Sequence, residues 1–370
     1  MTPTSFCTSS GRAVTGHRNH VMNNSIADCS SSSLNLIRTV HPVGQGAFYS
    51  ETFIHNNDVL FTAVYDCGGI KNKLLTEINK LSRVDLFFIS HFHDDHVRGA
   101  QKLIDKFKPK IVVFPHVSPC RFLVDFIRNT IRDKTGSSCV FMLNVLPIMW
   151  AALSDNSEYV ENQNVHYCAV KKKYSFQIPP IDGKWEYISF CQDEDLKEQE
   201  LLAELESVLK LPVNYRVRYL EKSDYQKIAS LLNNESELLI KVKQLYKRLF
   251  PKGHNAYSMP VLSHEVYDSL ESKVNHFDCL YTGDIVADDW LYGIVSEFEP
   301  NYIQMPHHGS NDNHNDRIYD SGKIAFVSVG TKNRYHHPGL IALPYVIDTC
   351  KEVHIVTEYP ITAYQSQVIL

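Results

Sequence analysis

A run of metal-binding side chains directly after an apolar segment is the feature that most restricts how this chain can fold. Residues 84–89 are apolar, β-branched or aromatic apart from Asp85, which is typical of a central strand, and they lead through Ser90 into His91-Phe92-His93-Asp94-Asp95-His96. Imidazole rings two positions apart can face the same side of an extended loop, and the Asp-His pair then turns towards an adjacent point. Neutral imidazoles and carboxylates are ligands for zinc, manganese and iron. We therefore predict a divalent-metal site on residues 91–96, the metal loop, rather than a solvated polar turn.

Short strands that alternate with helices indicate a layered α/β protein. Apolar runs bounded by turn residues predict strands at 36–40, 48–53, 59–65, 84–89 and 111–114. Residues 71–81 and 99–107 have the spacing of apolar side chains that is typical of helices. Further strands are predicted at 258–262, 278–281, 302–305, 324–329 and 353–357.

The chain divides into four parts of different sequence character. Residues 1–33 lack periodicity and contain a polar serine run, so we predict a weakly ordered leader. Residues 34–192 and 251–370 carry the strand and helix pattern, and we expect them to form the N-terminal and C-terminal halves of one fold. Residues 193–250 predict three amphipathic helices, at 194–209, 223–232 and 235–250. This stretch is interpreted as a helical insertion.

Composition excludes several classes of protein. The formal net charge of −5 gives the 370-residue chain no global attraction for a polyanion, so nucleic-acid binding would need a local basic patch. The nine cysteines show no C-x-x-C spacing, which argues against a disulfide framework and against a cysteine-built zinc site. No segment supplies the roughly 20 apolar residues of a membrane span, and the N-terminus lacks the apolar core of a secretory signal. We expect a cytoplasmic protein without a membrane partner.

Further metal-binding side chains follow later strands. His307 and His308 end the strand predicted at 302–305, so we expect them at the same sheet edge as the metal loop. We assign His307 to metal and His308 to a substrate oxygen. Asp284 follows the strand predicted at 278–281, where it could instead cap a helix near Ala287.

The metal loop resembles the His-x-His-x-Asp-His signature of the metallo-β-lactamase superfamily. Tyr65-Asp66-Cys67-Gly68-Gly69 is similar to the first motif of that family, and Tyr281-Thr282-Gly283-Asp284 is similar to the fourth. The resemblance implies an αββα sandwich, here with a helical insertion, in which Asp66 steadies the metal loop and Asp284 bridges two divalent ions, zinc or manganese. On the residues alone, Asp66 could merely cap a turn. The implied metal ligands are His91, His93, Asp95, His96, Asp284 and His307.

Other segments resemble the soluble hydrolase domain of ComEC-type competence proteins. These segments are Val43-Gly44-Gln45-Gly46, Asn255-x-x-Ser258, Pro306-His307-His308-Gly309-Ser310, and Ser328-Val329-Gly330 through Asn333 to His337-Pro338. The resemblance covers residues of about 36–118 and 254–357, and it implies metal-dependent cleavage of phosphodiester bonds in DNA. It implies that His337 lies at the rim of the pocket as a ligand or a proton donor, although His337 and Pro338 could simply open a helix. Lys332 and Arg334 in the same loop could pair with a phosphate.

One expected ligand has no clear equivalent in this chain. Many members of the superfamily supply a further histidine between the second and fourth motifs. His116, His166 and His254 are poorly placed for that role and are interpreted as structural histidines. ComEC-type domains often lack the same ligand, so its absence is in line with that resemblance.

These features predict a dinuclear metal-dependent hydrolase, specifically a phosphodiesterase or nuclease acting on nucleic acid or nucleotides. Two ions would lower the pKa of a shared water to give a hydroxide nucleophile, which Asp95 orients, while His308 or His337 protonates the leaving oxygen. One alternative is a hydrolase of small esters, thioesters or lactones on the same fold. Another is a binding module with structural metals, in which the helical insertion docks a protein partner. Basic residues between 241 and 252 could follow a nucleic-acid backbone, or simply match the helix dipole.

Overall fold

The structure of the protein is a computed structural model. It describes residues 34–133, 136–154, 159–162, 165–178, 185–192, 204, 207–208, 220–234, 236–249, 258–266 and 277–370. The predicted leader at 1–33, most of the helix predicted at 194–209, and His254 lie outside the described residues.

The first sheet joins the beginning of the described chain to its end. Its strands are β1 (Leu34–Val40), β2 (Tyr49–His55), β3 (Asp58–Tyr65), β4 (Leu86–Phe88), β5 (Ile111–Pro115), β6 (Tyr159–Asn162), β7 (Val165–Val170) and β15 (Tyr364–Ile369). They lie in the order β15-β1-β2-β3-β4-β5-β7-β6. The neighbours β3, β4 and β5 are parallel, so their carboxyl ends reach the same edge of the sheet.

The second sheet has the same kind of parallel segment. Its strands are β8 (Lys173–Gln177), β9 (Trp185–Phe190), β10 (Val261–Glu265), β11 (Cys279–Tyr281), β12 (Tyr302–Gln304), β13 (Ile324–Ser328) and β14 (Glu352–Val356), in the order β14-β13-β12-β11-β10-β9-β8. Strands β11 to β14 are parallel to one another. Ligand sites of α/β proteins commonly lie outside the carboxyl ends of such strands.

The helices cover the outer faces of the two sheets. They are α1 (Lys71–Lys80), α2 (Asp94–Val97), α3 (Ala100–Phe107), α4 (Pro119–Arg132), α5 (Ser137–Ser154), α6 (Lys222–Asn234), α7 (Ser236–Leu249), α8 (Asp289–Phe298) and α9 (Ala342–Thr349). Two helices predicted for the insertion correspond to α6 and α7. Tyr225 of α6 is buried against α4, with its ring 4.9 Å from that of Phe126. The bounds of the insertion and of the two flanking halves stay a prediction.

Three apolar clusters separate the layers. Tyr49 and Trp185 belong to the cluster between the two sheets, Phe87 and Leu103 to the cluster between the first sheet and its helices, and Ile303 to the cluster beneath α8 and α9. A strand that is buried on both faces is apolar throughout, and all five residues of β5 are buried. Four layers follow from this arrangement, so the predicted αββα sandwich is confirmed. No helix within the described ranges combines the length and apolarity needed to cross a membrane.

The buried carboxylate of Glu51 links the two sheets. Glu51 of β2 accepts a hydrogen bond from the Arg38 Nε atom of β1 at 2.5 Å. From the second sheet, the hydroxyls of Tyr187, Ser263 and Tyr281 also donate to Glu51, at 2.6, 2.5 and 3.0 Å. Burial alone would lower the pKa of Arg38, but the charge of Glu51 outweighs it and raises that pKa. Glu51 therefore serves as a polar link across an otherwise apolar interface.

Candidate metal centre

The side chains predicted to bind metal meet at one edge of the sandwich. Asp66 follows β3, the metal loop follows β4, and Asp284 follows β11. His307 and His308 follow β12. The carboxyl ends of the parallel strands in both sheets thus converge, and this brings distant parts of the sequence together.

Phe92 anchors the metal loop in the apolar core. Its ring is fully buried and lies 5.9 Å from that of Phe114 and 5.5 Å from that of Phe122. The Asn129 side chain donates to the Phe92 carbonyl at 2.5 Å. Because Phe92 points into the core, the histidines on either side of it are directed away from the core and towards the candidate site.

Asp66 holds the metal loop in place through hydrogen bonds. Its Oδ1 atom accepts from the Ser90 backbone N–H at 2.7 Å, and Oδ2 accepts from the Ser90 hydroxyl and lies against His96 Nδ1, both at 2.7 Å. Burial raises the pKa of Asp66, and the neighbouring charge of His96 partly offsets that rise. Asp66 also has a φ of 57°, a left-handed conformation that aspartate adopts more readily than most residues. These contacts match the steadying role that the sequence predicts for it.

Four side chains form the larger of two candidate ligand sets. Asp95, His96, Asp284 and His308 each offer one ligand atom, and these atoms lie within 4.8 Å of one another. The outer nitrogens of both histidines are already engaged: His96 Nδ1 with Asp66, and His308 Nδ1 with the Ser328 carbonyl at 2.8 Å. Their Nε2 atoms face Asp284 Oδ1 at 3.1 and 3.7 Å. We refer to this set as the four-ligand group.

His91, His93 and Asp284 form the smaller set, the three-ligand group. His91 Nε2 lies 2.8 Å from His93 Nδ1 and 3.7 Å from Asp284 Oδ2. The other ring nitrogen of His91 contacts the hydroxyls of Ser90 and Ser258, at 2.9 and 3.0 Å. Asp284 is shared by both groups, as the sequence predicts for a bridging residue.

The electrostatics of the site favour a bound cation. Burial alone would raise the pKa of Asp284, but the neighbouring imidazoles His307 and His96 hold it well below its usual range. Burial likewise opposes ionisation of His96, yet Asp284 and Asp66 raise the pKa of His96 well above 6.5. In His91, by contrast, burial and the charge of His96 hold the pKa well below 6.5. A divalent ion requires ionised carboxylates and neutral imidazoles, so Asp284 and His91 are already in the form that binds metal, whereas His96 would have to release its proton.

Buried atoms without hydrogen bonds test whether a metal fits. Within the described part of the chain, Asp95 Oδ1, both Asp284 carboxylate oxygens, His96 Nε2 and His308 Nε2 are buried and form no hydrogen bond. Leaving buried polar atoms unpaired costs free energy, so such atoms are uncommon in folded proteins. A divalent ion held by one oxygen or nitrogen atom of each of these four residues would give the buried donor atoms a partner. The donor set therefore fits a divalent metal ion.

The two consecutive histidines after β12 have unusual backbone conformations. His307 and His308 have φ values of 47° and 53°, in a region that residues other than glycine seldom occupy and that often marks functional sites. His308 Nε2 belongs to the four-ligand group. His307 Nε2 lies outside both groups, 3.5 Å from Asp284 Oδ2, while its Nδ1 contacts Asn313 Oδ1 at 2.8 Å. The assignment of His307 to metal and His308 to substrate stays a prediction, and the distances favour His308 as the ligand.

His337 lies at the edge of this cluster. Its ring is 5.2 Å from that of His307, and it belongs to neither ligand group. Burial and the neighbouring charges of His307 and His308 lower the pKa of His337 to about 4. The side chains of Lys332 and Arg334, in the same loop, are exposed. Near neutral pH, His337 is therefore a proton acceptor.

Two capping alternatives weighed from the sequence are wrong. Asp288, rather than Asp284, caps α8, since its Oδ1 atom accepts from the N–H groups of Trp290 and Leu291 at 3.0 and 3.1 Å. The helix after His337 begins at Ala342, so Pro338 does not open it. Neither Asp284 nor His337 therefore belongs to the start of a helix.

Sequence reasoning missed two residues of α4 that contact the metal loop. Asp125 Oδ1 lies 3.3 Å from His93 Nε2, and the Arg128 guanidinium contacts the same ring. The available signal was Ser118-Pro119, a typical helix start, followed by apolar residues at helical spacing. His116 and His166, in contrast, belong to neither ligand group.

Comparisons with known proteins give only distant similarities. No protein-family model matches this chain. No curated protein matches it either. Among solved structures, the metallo-beta-lactamase fold protein YhfI from Bacillus subtilis is 9% identical, with a TM-score of 0.43 over 91% of this chain and 100% of that one. A long form RNase Z from yeast is 14% identical, with a TM-score of 0.37 over 80% of this chain and only 36% of the yeast protein. Both TM-scores lie below 0.5, so neither similarity indicates what this protein does.

Proposed function

We propose that this protein is a divalent-metal-dependent hydrolase that cleaves phosphodiester bonds in a nucleic acid or a nucleotide. The anchored imidazoles of His96 and His308 carry the proposal. Their outer nitrogens are engaged by a carboxylate and a carbonyl, which fixes the tautomer and directs the Nε2 lone pairs inward. The Nε2 atoms and the buried Asp284 carboxylate need a cation between them, which is a proton in the metal-free protein and would be a divalent ion in the metal-bound one.

The two ligand groups would hold two ions, zinc or manganese, with Asp284 shared between them. Ions bound in this way lower the pKa of a water towards neutrality and neutralise the oxygens of a phosphodiester. Asp95 would both bind metal and accept a hydrogen bond from the attacking water. We assign His308 to metal and His307, whose side chain is 21% exposed, to the substrate side of the site.

The chain's own residues at the rim would act on the substrate. Because the pKa of His337 is about 4, its neutral imidazole would accept a proton rather than donate one at neutral pH. Lys332 and Arg334 would pair with substrate phosphates. The similarity of the segments around 306–310 and 328–338 to ComEC-type domains supports a phosphodiester substrate over a carboxylic ester.

The test is hydrolysis by metal-free protein to which Mn²⁺ or Zn²⁺ is returned. Substrates are single-stranded DNA, RNA, a cyclic dinucleotide and bis(p-nitrophenyl) phosphate, beside a phenyl ester, a thioester and a lactone. Asp95→Asn should lower kcat/KM roughly 10²–10⁴-fold. Asp312→Asn, an exposed carboxylate on a neighbouring loop, is the matched control and should leave the rate unchanged.

The other outcomes separate the alternatives. Preferential turnover of the ester, thioester or lactone would select a small-molecule hydrolase. No turnover of any substrate by metal-loaded, folded protein would favour the partner-binding module. Cleavage that survives in Asp95→Asn at the wild-type rate would exclude this site as the active site.

A further inference from the structure

Arg128 brings a permanent positive charge to one side of the candidate site. It lies on α4, and its guanidinium contacts the ring nitrogens of His93. Arg121 and Asp125 precede it by seven and three residues, so all three side chains lie on one helix face. Arg121 Nε donates to Asp125 Oδ2 at 3.0 Å, and both of these residues are about 1% exposed. This face places charged groups beside His93 within a helix whose other buried residues are apolar apart from Asn129.

The contacts of His93 decide which of its nitrogens is free to bind metal. Its Nε2 lies 3.3 Å from the Asp125 carboxylate, so the ring proton is favoured on Nε2. The lone pair is then on Nδ1, which lies 2.8 Å from His91 Nε2. Asp125 therefore prepares His93 Nδ1 as a ligand atom of the three-ligand group.

Arg128 competes for that same lone pair. A guanidinium has only donor groups and stays charged at all accessible pH values. When it donates to His93 Nδ1, the lone pair is no longer available to an ion. Its positive charge beside His93 would also repel a divalent ion bound there. Two effects thus weaken metal binding at the three-ligand group.

The four-ligand group has no such competitor. Within the described ranges, no arginine or lysine hydrogen-bonds to Asp95, His96, Asp284 or His308. It also has two carboxylates, whereas the three-ligand group has only the shared Asp284. The charge of Arg128 also reaches Asp95, but the second carboxylate and the absence of a guanidinium hydrogen bond to any ligand favour tighter binding at the four-ligand group.

We propose that the site loads in two unequal steps: one divalent ion binds the four-ligand group first, and Arg128 weakens binding of a second ion at the three-ligand group. This inference rests on the proposed metal-dependent function but not on its substrate.

The experiment counts ions bound to metal-free protein during titration with Mn²⁺, by equilibrium dialysis and elemental analysis. Wild-type protein should bind one ion per chain, and a second only at concentrations at least 10-fold higher. Arg128→Met should strengthen binding of the second ion at least 10-fold and leave the first within about twofold. Arg128→Lys keeps the charge and should bind the second ion as weakly as wild type does.

Arg132→Met is the matched control, because Arg132 lies one turn further along α4 with an exposed side chain. It should titrate like wild-type protein. Adding His93→Ala to Arg128→Met should remove the gain, which assigns that gain to the three-ligand group. Far-UV circular dichroism checks that each variant is folded. If Arg128→Met does not fold, the Arg128→Lys variant can still be compared with wild-type protein.

The inference would be overturned if wild-type protein bound two ions with equal affinity. It would also be overturned if the second ion bound Arg128→Met as weakly as it binds wild-type protein. Either result leaves the proposed hydrolase standing if phosphodiesters are cleaved. Conversely, unequal loading that Arg128→Met equalises would support the inference even if no substrate is turned over. Protein that binds no Mn²⁺ at millimolar concentration would overturn the inference directly.

Discussion

Replacement of Asp66 by asparagine tests how the metal loop is held. Asparagine tolerates the left-handed φ of 57° and has nearly the shape of aspartate, so the backbone should not change. Asn Oδ1 can still accept from the Ser90 N–H group. The amide nitrogen, however, replaces the oxygen that lies 2.7 Å from His96 Nδ1. An amide N–H donor there favours the tautomer of His96 that carries its proton on Nε2, the atom 3.1 Å from Asp284 Oδ1.

The magnitude follows from the loss of one ligand lone pair. A proton on His96 Nε2 must be removed, or the ring must turn, before the nitrogen can bind metal. Loss of such an outer hydrogen-bond partner typically lowers metal affinity about 10–100-fold, which is about 1.4–2.7 kcal/mol. We expect Asp66→Asn to weaken Mn²⁺ or Zn²⁺ binding by this factor in a titration against a competing chelator.

Asp133→Asn is the matched control. Asp133 is also buried, and its Oδ2 atom accepts from the N–H group and the hydroxyl of Ser138, each at 2.9 Å, as Asp66 does from Ser90. Asp133 belongs to neither ligand group, so its replacement should lower stability by about 1–2 kcal/mol without changing metal affinity. If Asp66→Asn remains folded and binds metal within twofold of wild type, the proposed control of the His96 tautomer is refuted.

Three further predictions concern stability. Glu51→Gln should lower the free energy of unfolding in urea by about 3–5 kcal/mol, because it leaves the Arg38 guanidinium buried without a counter-charge; a loss below about 1 kcal/mol would contradict this. Gly68→Ala should destabilise the fold and weaken metal binding, since the added Cβ would lie 1.7 Å from a backbone carbonyl oxygen of the metal loop. Gly293 lies in the exposed middle of α8 with open space around it, so Gly293→Ala should instead raise the stability by about 0.5–1 kcal/mol in thermal denaturation. Burial lowers the pKa of His41 from 6.5, so the unfolded chain binds more protons and stability should fall as the pH decreases below 6.5. His41→Gln should flatten this part of the plot of stability against pH. An unchanged slope would contradict the role given to His41.

Much of the sandwich is predictable from short-range patterns. A strand buried on both faces is a continuous apolar run, as β5 is, whereas β1 alternates between buried and partly exposed residues; β1, β3 and β5 were all predicted within about two residues of their observed bounds. The metal loop follows directly on such a strand, which is why the ligand cluster around residues 91–96 could be anticipated. The bounds beside the metal loop were less accurate, since the strand predicted at 84–89 is observed only at Leu86–Phe88.

The elements that were missed have no clear periodicity or depend on distant partners. Helix α5 is apolar on all sides and contains Pro147, so neither an amphipathic stripe nor an uninterrupted helical sequence identified it. Strand β15 forms only because the end of the chain pairs with β1. Asp125 and Arg128 were overlooked for a similar reason, since charged residues on a helix are expected to face solvent until the fold shows what packs against them.

The site cannot be complete in either sheet alone. The first sheet supplies the metal loop and the second supplies Asp284 and His308, so every candidate ion contacts both halves of the sandwich. The halves are joined beside the site by short hydrogen bonds: the Met259 N–H group donates to the Ser90 carbonyl at 2.8 Å, and the Tyr65 hydroxyl donates to the Met259 carbonyl at 2.9 Å. An ion bound here would therefore hold the two sheets together, and substitutions that loosen the contact between the sheets should weaken metal affinity even when they touch no ligand.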